Sequence, residues 1–138
     1  MAKLIRFGVS LDNGLLTKFD RLIKTKGYTN RSEAIRDLIR EELVRKEWTE
    51  DKEIAGAVTL LYDHHKRELA NKLTDIQHDF SSIIIACQHI HLDHHNCLEI
   101  IAVKGVSQKV LALADTLKAT RGVKHGTLSM TATGKGLI

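Results

Sequence analysis

Cysteine is scarce in this chain: two occur in 138 residues, at positions 87 and 97, too few for a disulfide framework. A free-thiol or metal-ligand role in a cytoplasmic setting is the expectation. No apolar run reaches transmembrane length, so no membrane partner is expected. The opening M-A-K-L-I-R-F is basic, yet it lacks the apolar core and small-residue cleavage site of a secretory signal. Internal repeats and low-complexity tracts do not stand out. What remains is a globular composition, 43% hydrophobic and 28% charged. The length suits one ordinary domain or two small ones, and two would lean on oligomerisation.

Charge and histidine divide the chain. Residues 1–48 hold 11 Lys+Arg against 7 Asp+Glu, and the remainder holds 10 of each. Seven of the eight histidines fall between His64 and His95. Basic residues at the front and metal-type ligands behind suggest two modules, one of which meets a polyanion.

Lys3–Leu11 alternates, with Ile5, Phe7, Val9 and Leu11 on one face and Arg6, Gly8 and Ser10 on the other, as in a half-buried strand. Asp12 is placed to cap a helix carrying Leu15, Leu16, Phe19, Leu22 and Ile23, and Gly27 to end it. A second helix should start at Thr29 or Asn30, with Glu33 closing a variant capping box, and fade near Trp48. Two helices cannot cover both edges of a lone strand. The simplest partner is the same strand of a second chain, paired antiparallel. Such a ribbon fits the major groove of double-stranded DNA, where Arg6 and Ser10 could meet base edges. The helix start at Asn30-Arg31 offers N–H groups and an arginine to a phosphate. The alternative is a structural dimerisation arm with a solvated basic face.

Thr49–Glu53 is polar and reads as a hinge. Then come a strand at Ile54–Tyr62, a helix at Lys66–Asp79 and a long strand at Ser81–Leu92. Cys97–Val106 pairs back onto that strand, Ser107–Thr120 is a helix capped by Ser107, and a last strand lies within Arg121–Thr133. This β-α-β-β-α-β order is that of a ferredoxin-like domain. The expected fold is α+β: a βαα module at 1–48, a hinge at 49–53, the ferredoxin-like domain at 54–133 and a tail at 134–138.

The chemistry gathers in Q-H-I-H-L-D-H-H-N-C-L-E at 88–99. On a strand, His89 and His91 share a face, and Asp93-His94-His95-Asn96 suits a reversal. If His91 faces Cys97, the same register sets Glu99 opposite His89, and a one-residue slip would break the cluster. Two imidazoles and a thiolate suit a borderline-soft divalent metal. A fourth ligand could be His78, on the preceding helix. Ten residues of strand separate its ends by roughly 30 Å, so His78 would have to come from another subunit. The competing reading is an exposed helical histidine.

Other residues leave alternatives open. Glu99 orients an imidazole or is a rim charge. Cys87 reads as a half-buried thiol, and His94 and His95 as turn residues. His64-His65-Lys66-Arg67 reads as a basic patch, a weak extra metal site or a solvated corner. Glu33 and Asp37 lie four apart on one helix face, either to hold a hard cation or as a solvated acidic face.

Five segments together resemble the nickel-responsive repressors of the NikR type: N-R-S-E-A-I-R-D at 30–37, Q-H at 77–78, H-I-H-L-D-H-H-N-C-L-E at 89–99, V-K-G at 103–105 and R-G-V-K-H-G at 121–126. The resemblance runs along nearly the whole chain. It implies a ribbon-helix-helix segment followed by a ferredoxin-like (ACT-like) domain, assembled as a homotetramer, a dimer of dimers. It implies Ni(2+) held by His89, His91 and Cys97 of one subunit and His78 of another. It also implicates Glu33 and Asp37 in a second cation site between the modules, and Lys66 and Arg67 in DNA contact. Gly8 departs from the pattern, in which a hydroxyl side chain stands there, so no side chain reads a base at that position.

The leading expectation is a nickel-dependent repressor of an operator, not an enzyme, with no small organic substrate. A metal buffer or trafficking protein that uses its N-terminal segment only to dimerise is the alternative. A metalloenzyme needs an open coordination position, which four protein ligands would remove.

Overall fold

The computed structural model describes residues 3–137; residues 1–2 of the expected N-terminal module and Ile138 of the expected tail lie outside them. The chain forms two compact units, Met1–Ile39 and Arg40–Ile138.

In the first unit, α1 spans Asn13–Thr25 and α2 begins at Arg31, running on to Thr49. Asp12 caps α1 by accepting a hydrogen bond from the Gly14 N–H at 2.8 Å, and Gly27 follows the helix with φ +84°. Asn30 Oδ1 accepts from the Glu33 N–H at 2.9 Å, which makes Asn30 the cap of α2. Residues 3–12 carry no regular secondary structure. The alternating strand expected there needs a hydrogen-bonding partner that a single chain does not supply. Its apolar residues are left open, Leu4 at 90% and Phe7 at 71% of full exposure. Among the described residues of this unit only Ile23 and Ala34 are buried.

The second unit is a four-stranded antiparallel sheet ordered β2-β3-β1-β4, from β1 (Glu53–Tyr62), β2 (Ile84–His91), β3 (Cys97–Val106) and β4 (His125–Thr131). With α3 (Arg67–Asp79) and α4 (Ser107–Lys118), this is the ferredoxin-like order. Alternation puts Ile54, Val58 and Leu60 of β1 and Ile101 and Val103 of β3 against Leu69 and Leu73 of α3 and Val110, Leu113, Ala114 and Leu117 of α4. The opposite face carries half-buried Ala55, Ala57, Leu61, Leu98, Ile100 and Ala102.

Three local expectations change. The long strand starts at Ile84, because Ser81–Ile83 forms a 3-10 turn that buries Ile83. Gly105 permits this: a Cβ there would lie 2.5 Å from the Ile83 side chain. Ser107 does not cap α4. Its hydroxyl is buried without a partner among the described residues, and the Gln108 N–H instead bonds Asp51 Oδ1 at 3.3 Å. The end of α2 belongs to the sheet: Trp48 is buried in its core and donates Nε1–H to Thr131 O at 2.9 Å.

Candidate metal centre

The hairpin register decides which ligands meet. In β2–β3, His89 pairs with Glu99 and His91 with Cys97, the pairing expected from the sequence. The reversal is held locally. Asp93 accepts from the His95 N–H at 2.9 Å and from the Asn96 amide at 2.9 and 3.0 Å, while the Leu92 N–H reaches Asn96 O. Cys97 and Glu99 sit on the helix-covered face, buried beside the core. His89 and His91 flank them on the same face, but β2 is the edge strand, so both imidazoles stay exposed.

Glu99 is the hub of the patch. It is 1% exposed, which removes the rim-charge reading. One oxygen accepts from the Tyr62 hydroxyl at 2.5 Å and lies 3.7 Å from His89 Nδ1. The other accepts from the Gln77 amide at 2.7 Å and from the Cys87 thiol at 2.9 Å. A buried carboxylate with this many donors can fix an adjacent imidazole. Tyr62 carried no role in the sequence reading, and Gln77 entered it only within the Q-H pair that carries the resemblance. Tyr62 ends β1 opposite Cys97, and only the strand order reveals that pairing.

The surroundings raise both thiols above the ordinary cysteine range. Desolvation, then the bonded Glu99 carboxylate, pushes Cys87 up to about 12. Burial and the Glu99 charge raise Cys97, against smaller opposing bonds from Ile90 backbone and the Tyr62 hydroxyl. Cys87 is exposed as a residue, not half-buried, and its Sγ lies 3.7 Å from His89 Nε2. Cys87, His89 and Glu99 therefore bring their ligand atoms within 4.8 Å of one another in a single chain.

Other expected residues lie elsewhere. His78 is exposed near the end of α3, beside a shallow depression lined by Thr74, Gln77, Ser81 and Ile84. Among the described residues, it joins no converging group of ligand atoms. Glu33 bonds Arg36 at 2.5 Å, and Asp37 accepts from the Tyr28 hydroxyl at 2.7 Å. Arg6, Gly8 and Ser10 are exposed, and a Cβ at Gly8 would meet nothing within 4 Å. Arg31 makes a two-pronged ion pair with Asp20, both contacts 2.9 Å, instead of standing clear for a phosphate. Lys66 and Arg67, at the start of α3, line an open cleft with Lys72 and Arg121.

Residues 55–131 match the family model described as NikR C terminal nickel binding domain, and residues 5–46 match that of ribbon-helix-helix protein, copG family. The chain belongs to the NikR family. A family member from Syntrophus aciditrophicus, assigned as a nickel-responsive regulator, is 62% identical over 98% of both chains. Another so assigned, from Nitratidesulfovibrio vulgaris strain DP4, is 59% identical over 99% of both. A third, from Thermococcus kodakarensis, is 53% identical over 99% of both. Among solved structures, an uncharacterized protein from Thermotoga maritima aligns with TM-score 0.52 at 14% identity. It covers 57% of this NikR-family chain and 98% of its own, a likeness of fold alone.

The side chains gathered on this face suit a late first-row divalent ion on chemical grounds. Imidazole and thiol donors favour late first-row divalent ions over Mg(2+) or Ca(2+). The register sets His89, His91 and Cys97 on one face, although among the described residues neither His91 nor Cys97 joins a converging group of ligand atoms in the single chain.

Proposed function

We propose that this protein is a nickel-dependent repressor of an operator, controlling nickel uptake. The observation that carries the reading is the hairpin register, which sets His89, His91, Cys97 and Glu99 on one face. His78 completes the ligand set from a neighbouring subunit, since it meets none of those residues within one chain. Bound nickel would supply ligation of imidazole and thiolate donors from two subunits at once. The chain's own residues prepare that site. Glu99 holds His89 in orientation, with Tyr62 and Gln77 holding Glu99.

The exposed apolar residues of 3–12 pair with those of a second chain to form a DNA-facing ribbon that carries Arg6 and Ser10. At Gly8 the base edge goes unread. Asn30 approaches the phosphates, joined by Arg31 once its pair with Asp20 opens, and Lys66 and Arg67 add further contacts. The half-buried apolar face of the sheet packs on a second dimer, giving a homotetramer. A second cation bridges Glu33 and Asp37 once Arg36 and Tyr28 give way. No helix among the described residues is long and apolar enough to cross a membrane, and a cytoplasmic regulator without catalytic activity is the reading we adopt.

Repression requires the loaded state to bind DNA more tightly than the unloaded one. The test selects a DNA site from a random pool with nickel-loaded protein. Affinity is then measured with and without Ni(II), for wild type and Cys97→Ala. Nickel should tighten only the wild type. Equal affinity in all four conditions sinks the reading, and failure to select any site favours a metal buffer.

A further inference from the structure

We propose that His65, His94 and His95 form a second, histidine-only site for a borderline divalent transition ion, distinct from the Cys97 patch. The site is built from two loops that meet in space. His65 lies in the β1–α3 connection, and His94 and His95 lie at the tip of the β2–β3 hairpin. One ligand atom from each of the three lies within 4.8 Å of the others. Ring centroids are 4.8 Å apart for His65–His94 and 4.7 Å for His94–His95.

Metal–imidazole bonds of about 2.0–2.1 Å set neighbouring nitrogens roughly 3.3 Å apart in a tetrahedral site. The three rings are exposed, so small ring rotations close that gap without disturbing the core.

Asp63 supplies the support such a site needs. Its carboxylate lies 3.4 Å from His65 Nδ1 and 4.0 Å from His95 Nδ1, leaving Nε2 of each ring to ligate. It also accepts the His65 backbone N–H at 2.9 Å, while Asp93 accepts that of His95, so both loops are tied. The neighbouring His64 Nδ1 is buried with no partner among the described residues. Such an atom calls for an ion or an ordered water. His64 also stacks on His91 at 4.2 Å, joining this cluster to the hairpin ligands. Imidazole donors select Ni(2+), Zn(2+) or Cu(2+) rather than Mg(2+) or Ca(2+).

The test counts Zn(II) and Ni(II) bound to the full-length protein by equilibrium dialysis. Wild type should take one equivalent per chain beyond the thiolate-dependent one. The triple variant His65→Ala/His94→Ala/His95→Ala should lose that extra equivalent, with circular dichroism unchanged. Cys97→Ala should keep it, and its Cu(II) form should show imidazole nitrogen couplings by electron paramagnetic resonance. Asp63→Asn should weaken the extra equivalent about tenfold. The proposal is overturned if the triple variant binds as much metal, as tightly, as wild type. It is also overturned if Cys97→Ala removes both equivalents, whereas loss of the thiolate-dependent equivalent alone tests the nickel reading separately.

Discussion

The two compact units differ in how far each satisfies itself. Residues 40–138 close a core around Val58, Leu60, Ile101, Leu113 and Leu117, all fully buried. Residues 3–39 bury only Ile23 and Ala34 and leave Leu4, Ile5, Phe7 and Val9 open. Similar apolar residues serve both units, yet one uses them internally and the other presents them outward. An apolar face without a cover is the mark of a segment that finishes folding against a partner. The second unit closes a core of its own while keeping the far face of its sheet half-buried, and the first unit buries little without a partner.

Four substitutions would break or sharpen this contrast. Trp48→Ala should have the largest effect. It empties a core position and removes the bond to Thr131, costing about 3–5 kcal/mol in denaturant unfolding. Because Trp48 lies on α2, a loss confined to the N-terminal unit would move the boundary between units and overturn the division. Tyr62→Phe should come next, at about 1.5–3 kcal/mol, because it takes a donor from the buried Glu99 carboxylate.

Phe7→Ala should cost within about 0.5 kcal/mol in a lone chain. If residues 3–12 pair between copies, it should instead make the melting temperature fall steeply on dilution. A dilution-independent melt for both wild type and variant would count against the ribbon. Arg31→Ala should do least to stability, since its ion pair with Asp20 is exposed. Its effect belongs to DNA: the slope of affinity against salt should fall by about one. An unchanged slope removes Arg31 from the interface.

Much of this was legible beforehand because local rules govern it. Period-two and period-3.6 patterns located the helices and the strands of the sheet, whereas the strand expected at Lys3–Leu11 is not formed in the single chain. Turn formers at 93–96 and the requirement that His89, His91 and Cys97 share a face placed the hairpin register. Contacts between distant segments were not legible. Glu99 read equally well as a rim charge, because nothing local shows Tyr62 and Gln77 arriving over it. Ser107 read as a cap, while Asp51, which takes that place with φ 57°, sits in a stretch that read only as hinge. His64 and His65 read as part of a basic patch, a weak extra metal site or a solvated corner, and only the end of β1 beside the hairpin shows which side chains they meet.

By itself, the sequence determined the order of elements, the one-face clustering of His89, His91, Cys97 and Glu99, and the division between a basic front and a histidine-rich remainder. Each follows from spacing along one chain, where backbone geometry dictates which side chains are neighbours. Only the tertiary structure decided that Glu99 is a buried hub, that Trp48 belongs to the sheet and that four histidines of two loops meet, with His91 of β2 beside them. Those outcomes depend on strand order, β2-β3-β1-β4, which brings residues tens of positions apart into contact. Local spacing cannot encode that order, because it arises from how the whole apolar surface is buried.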